Sequence, residues 1–175
     1  MAEKKIGNKV LRLVRGDITD MEIDAFVFDI TDDVKLGSGF GSAIQQRGGI
    51  VIQKQLDEIG SCPTGEAVVT DAGILKADWI IHANGPKFRE EEEEGKLRKT
   101  VESALARAEE KGVKRLAFPP IGTGLSQVPL DLCSRVMVDT ISAHLANGST
   151  LDEVLIVAPD NREFNPFKAK IEEGA

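Results

Sequence analysis

Apolar residues along this chain fall into two patterns. The first is a set of short runs. Ala25-Phe26-Val27-Phe28-Asp29-Ile30 is nearly continuous, as expected of a central strand covered on both faces. Trp79-Ile80-Ile81-His82-Ala83, Val113 to Phe118 and Val154-Leu155-Ile156-Val157-Ala158 predict further strands, as do Val10-Leu11-Arg12-Leu13-Val14 and Ala67-Val68-Val69-Thr70. In the second pattern apolar residues recur every three or four positions. Leu97, Val101, Leu105 and Ala108 predict one helix, and Leu130, Cys133, Met137, Ile141 and Leu145 another. Ala43, Ile44, Val51, Ile52, Leu56 and Ile59 supply a helical stripe that Gly48-Gly49 should break or kink. Phe164, Phe167 and Ile171 mark a short C-terminal helix. Strands alternating with helices predict an α/β protein with a mixed, mostly parallel sheet.

Composition narrows the class. The chain's 175 residues suffice for one domain with a sizeable core, so residues 1–175 are expected to form a single unit. The net charge of -7 argues against nonspecific binding to nucleic acid. Cys62 and Cys133 sit in no CxxC motif and have no nearby histidine at metal spacing, so no metal site or disulfide scaffold is expected. The start, Met1-Ala2-Glu3-Lys4-Lys5, has no apolar signal core, and no window reaches membrane-helix length. A cytoplasmic protein away from membranes is the expectation. Glu90 to Glu94 read as a solvated face at a helix start, where negative charge is favourable.

Three stretches after predicted strands could carry chemistry. Leu116-Ala117-Phe118-Pro119-Pro120-Ile121-Gly122-Thr123-Gly124-Leu125-Ser126-Gln127-Val128-Pro129 runs from a strand, through prolines that stop it, into a loop with two glycines. Pro129 then opens a helical pattern. Such a loop offers backbone N–H groups to an anion, above all a phosphate. It lacks the Lys-Ser/Thr pair of a nucleoside-triphosphatase loop. Gly37-x-Gly39-x-Gly41 arrives too late after its strand, and its third glycine too early, for a dinucleotide fingerprint. It reads either as a loop embracing a sugar or phosphate, or as a plain surface loop. In Gly16-Asp17-Ile18-Thr19 the aspartate is either a helix cap or an acceptor for an exocyclic amine such as adenine's. His82 reads as a buried histidine, His144 has no visible partner, and Trp79 and Phe118 read as core. Asp29, Asp32 and Asp33 are acidic candidates near the glycine loop.

Assembled, these pieces resemble the macrodomain family, whose members bind ADP-ribose. The likeness runs from about Lys9 to Ile171. It rests on Gly16-Asp17-Ile18-Thr19, Asp24-Ala25, Gly37 to Ser42, Gly65-Glu66-Ala67, Ile80-Ile81-His82 with Gly85-Pro86, and Phe118-Pro119-x-Ile121-Gly122-Thr123-Gly124 before Pro129. It looks closest to the branch that includes a histone-variant macrodomain, and similar to bacterial single-domain members. The resemblance implies a three-layer α/β/α sandwich. It implies that Asp17 bonds the adenine amine with Ile18 beside it. Ile121 and the loop Gly122, Thr123, Gly124, Leu125 and Ser126 would wrap the diphosphate. Gly37, Ser38, Gly39 and Phe40 would close over the distal ribose, near Thr31. Pro159, or Phe164, would meet the adenine face.

The departures bear on activity. Hydrolytic members typically carry Asn-Ala-Ala-Asn where this chain has Phe28-Asp29-Ile30-Thr31, and an aspartate where it has Gly41. A common aromatic in the phosphate loop is replaced by Ser126. The expectation is binding of ADP-ribose or ADP-ribosylated molecules, without cofactor or metal and with little or no hydrolysis. One alternative is an ADP-ribosyl or O-acetyl-ADP-ribose hydrolase using Asp29 or Asp33. The other is a protein- or RNA-interaction module that has lost the ligand.

Overall fold

The computed structural model describes residues 2–37, 40–124 and 127–173. Seven strands form one sheet: β1 (Ala2–Ile6), β2 (Lys9–Arg15), β3 (Ala25–Asp29), β4 (Ala67–Asp71), β5 (Trp79–Ala83), β6 (Arg115–Phe118) and β7 (Glu153–Ala158). Their order is β1-β2-β7-β6-β3-β5-β4. The pairs β2–β7, β7–β6, β6–β3 and β3–β5 are parallel, and the two edge strands β1 and β4 run antiparallel to their neighbours. The expected mixed, mostly parallel sheet is present.

Five helices cover it: α1 (Phe40–Gly48), α2 (Val51–Ile59), α3 (Glu93–Glu110), α4 (Leu130–Ala146) and α5 (Asn161–Glu173). The near-continuous apolar strands have the expected cause. Val27 of β3 and Val154, Ile156 and Ala158 of β7 pack on one face with α3, α4 and α5. Phe26, Leu155 and Val157 pack on the other with Ile44, Ile52 and Leu56 of α1 and α2. This is the three-layer α/β/α sandwich. Gly48 and Gly49 part α1 from α2 as predicted; Gly49 has φ +92° and bonds back to the Gln45 carbonyl. The Glu90–Glu94 run leads into α3, and Lys111-Gly112 ends it.

One strand was not expected from the sequence. Strand β1 precedes the stretch expected to form the core, pairing Ala2 with Leu13 through Ile6 with Lys9. A single turn of tight helix, η1 (Ile18–Asp20), follows β2. Because β2, β7, β6 and β3 are parallel, their carboxyl ends and the loops after them share one edge. Ligands of open α/β sheets bind at such an edge.

A candidate ligand cleft at the carboxyl edge of the sheet

A cavity of about 590 Å³ opens at that edge. The turn after β2 contributes Gly16, Asp17 and Ile18; the end of β3 adds Phe28 and Asp29; the loop after β6 adds Pro119, Pro120, Thr123 and Gly124. Val157, Pro159, Asp160, Arg162 and Glu163 close it from β7 and the start of α5. The sheet's parallel register thus joins segments more than a hundred residues apart.

Asp17 fulfils the cap reading of the sequence. It is the N-cap of η1, and its Oδ1 accepts the Thr19 N–H (2.9 Å) and hydroxyl (2.6 Å). Its Oδ2 accepts from the Arg47 guanidinium of α1 at 3.0 Å, and Arg47 also donates to the Thr19 hydroxyl at 2.9 Å. The Thr19 hydroxyl, followed by the Arg47 guanidinium and the Thr19 N–H, holds the Asp17 carboxyl below the usual carboxylate range. The cap and a place in the cavity wall are compatible: the side chain is partly exposed and the residue lines the cavity.

The loop after β6 is built as a small closed turn. Gly122 has φ +78°, a conformation that favours glycine. Its carbonyl accepts the Val128 N–H at 2.9 Å, and the Gly124 carbonyl accepts that of Gln127 at 3.0 Å. The Thr123 hydroxyl lies against the Pro120 carbonyl (3.2 Å) and the Glu163 carboxylate, tying the loop to α5. Asp160 caps α5 through the Glu163 N–H at 2.9 Å. Beneath the loop, Ile121 is fully buried; its N–H meets the Met137 sulfur and its carbonyl the Cys133 thiol. Ile121 therefore anchors the loop to the core and does not line the cavity, in contrast to its expected place among ligand-facing residues.

Asp29 caps the loop from the side of β3. Its Oδ2 accepts the Gly122 N–H at 3.4 Å. Asp29 is solvent-exposed through the cleft it lines, although its carboxyl stands deep in the fold. Desolvation at that depth, with the Glu163 carboxylate adding and the Gly122 N–H opposing, pushes it up to about 6. Asp33 is elsewhere: it accepts the Thr31 hydroxyl at 2.5 Å on the exposed loop after β3, and neither residue lines the cavity. Gly37 is exposed outside the cavity wall, and Phe40 opens α1. Ser38, Gly39, Leu125 and Ser126 lie outside the described residues. Pro159 lines the cavity, whereas Phe164 is buried in the core with the Arg15 guanidinium 5.7 Å above its ring. Phe28, Val157, Arg162 and Glu163 were not anticipated as wall residues. The Pro159-Asp160-Asn161 turn is the sequence signal that a helix begins at the cleft.

His144, for which the sequence shows no partner, has its Nε2 2.7 Å from Glu109 Oε2. His82 is buried, with Nε2 2.9 Å from the Thr70 hydroxyl. Cys62 and Cys133 are buried free thiols. Among the described residues no cluster of His, Cys, Asp or Glu could hold a metal ion, and no helix is long and apolar enough to cross a membrane.

The model of the Macro domain family matches residues 30–137. The chain belongs to the macrodomain family. A macro domain-containing protein of Caldanaerobacter subterraneus subsp. tengcongensis is 36% identical over 93% of this chain and 96% of its own length. An uncharacterized protein of Sulfurisphaera tokodaii is 35% identical over 90% of this chain and 88% of its own length. Among solved structures, a variant of the Oceanobacillus iheyensis macrodomain with ADPR superposes with a TM-score of 0.92, covering 98% of this chain and 96% of that one at 24% identity, a likeness of fold. The Trypanosoma brucei macrodomain in complex with ADP-ribose matches with a TM-score of 0.85 at 26% identity, over 91% of this chain and 68% of that one. The cleft described above is thus the carboxyl-edge cavity of a macrodomain.

Proposed function

We propose that this macrodomain works as one module that binds ADP-ribose, or ADP-ribosylated molecules, without metal or cofactor and from the cytoplasm. One observation carries the reading: Asp17, together with Thr123 and Gly124 of the loop after β6, stands in the wall of a single cavity at the sheet's carboxyl edge. An acceptor for an exocyclic amine and a backbone turn suited to phosphate are the two ends of an adenosine diphosphate. The volume of about 590 Å³ falls within the range of ligand pockets, roughly 300–1,000 Å³. Macrodomains of similar fold hold ADP-ribose, which supports the choice of ligand. Titration calorimetry of the full chain with ADP-ribose tests the reading, and absence of heat at millimolar ligand would remove it.

A second reading has an observation of its own. Asp29 sits in the cleft with a carboxyl pushed up to about 6, near the range that suits a general acid or base at neutral pH. An ADP-ribosyl or O-acetyl-ADP-ribose hydrolase would use it. Asp33, away from the cavity wall, has no comparable support. Incubation with mono-ADP-ribosylated protein and with O-acetyl-ADP-ribose separates the readings: turnover that Asp29→Asn abolishes would favour the enzyme.

A further inference from the structure

For a cleft read as a diphosphate site, this one has four carboxylate residues in its wall. Asp17, Asp29, Asp160 and Glu163 line it, with Arg162 as the cation of the lining. Two of these carboxylates are held in place by neighbours. Asp17 is bonded by Thr19 and Arg47. Glu163 is largely buried, bonded by the Thr123 hydroxyl, with Arg162 at 3.9 Å. Asp160 caps α5. Asp29 differs in that its carboxylate takes the N–H of Gly122, a group the turn would otherwise offer to a phosphate oxygen.

The charged and titratable groups around Asp29 can be named element by element. Glu163 faces it from α5, with Arg162 beside Glu163 in the cavity wall, and Cys133 lies behind it on α4. Asp17 and Asp160 share the cavity from the turns after β2 and β7. On β5 its register partner is Ala83, and the neighbouring His82 is buried and held neutral. A negative Asp29 and an anionic phosphate in this cleft would repel each other.

We propose that Asp29 is the specificity-determining residue of the phosphate subsite: a diphosphate enters only as Asp29 takes up a proton, and the ionised carboxylate keeps the anion out. The proton comes from solvent. The neutral carboxyl no longer competes for the Gly122 N–H, and its O–H can donate to a phosphate oxygen. The raised affinity of this carboxyl for protons, at about 6 in the free protein, places the competition in the near-neutral range. The proposal rests on the reading of the cleft as an ADP-ribose site.

Calorimetry of the full chain with ADP-ribose, from about pH 5.5 to about pH 8 in two buffers of different ionisation enthalpy, tests it. The diphosphate of ADP-ribose is a diester with no titrating proton in this range, so proton uptake belongs to the protein. The wild type should lose roughly 50-fold in affinity between about pH 6 and about pH 8 and take up as much as about one proton on binding. Asp29→Asn should bind with little pH dependence, and as much as roughly 100-fold tighter than wild type at about pH 8. A gain of affinity is not what damage to the fold produces, and the wild-type proton count stands even if the variant folds poorly. Wild-type binding that is independent of pH and takes up no proton would overturn the proposal, as would an Asp29→Asn variant with unchanged pH dependence. Binding by neither protein at any pH would remove the ADP-ribose reading itself, and this inference with it.

Discussion

Asp17 is held before any ligand arrives. The Thr19 hydroxyl and N–H fix one carboxylate oxygen and Arg47 the other, so the side chain is ordered and ionised. In the proposed site it would accept the adenine amine. Asp17→Ala should therefore cost ADP-ribose binding roughly 1.5–3 kcal/mol, read by calorimetry, while unchanged affinity would sink the adenine assignment. His82 gives a test of the fold. Its Nδ1 is buried without a hydrogen-bond partner, and burial pushes the ring down to about 3. The folded value lies below the unfolded one, near 6.5, so the unfolded chain takes the proton first. Stability from this group is complete above about pH 6.5 and falls as the pH drops toward about 3, by up to about 1.4 kcal/mol per pH unit. Denaturant melts from about pH 7 to about pH 5 should show this slope in the wild type and a flatter one in His82→Leu. Equal slopes would mean that His82 is not buried neutral. The burial of His82 was legible in its apolar strand. The double role of Asp17 was not, because its Arg47 partner lies 30 residues away on another layer.

At the scale of elements, the loop after β6 is the part of the site most legible in sequence. Prolines that end a strand, glycines that turn the chain and Pro129 before α4 each have one local physical cause. Ile121 was misplaced because a residue beside a ligand loop and a residue anchoring it look alike in sequence; only burial against Met137 and Cys133 separates them. The start of α5 was legible as a turn but not as a cleft wall, since its apolar stripe of Phe164, Phe167 and Ile171 reports the core side alone. Strand β1 was overlooked for a similar reason: its charged residues Glu3, Lys4 and Lys5 suit an edge strand and leave little apolar signal. The turn itself yields a prediction. A Cβ at Gly124 would meet nothing within 4 Å, so Gly124→Glu should leave the melting temperature nearly unchanged. By placing bulk and negative charge at the cleft, it should weaken ADP-ribose binding by at least about tenfold. Undiminished binding would take the phosphate role from this loop.

The whole molecule is a parallel-centred sheet whose two faces are covered and whose carboxyl edge is left open. That arrangement was legible from run lengths and helical periods, because both report burial directly. The cleft was less so. It depends on strand order, which brings the turns after β2 and β7 beside those after β6 and β3, and no local pattern encodes that order. The central claim, that this cleft takes ADP-ribose, is a claim about the folded molecule as a unit. A thermal melt with ADP-ribose, set against AMP and ADP, tests it most directly. At about 100 times the dissociation constant, a ligand of the native state adds about 2.7 kcal/mol, which for a chain of this size corresponds to a rise of roughly 5–10 °C. The account predicts such a rise with ADP-ribose and a smaller one with AMP. No shift at millimolar ADP-ribose would contradict it and favour a module that has lost the ligand.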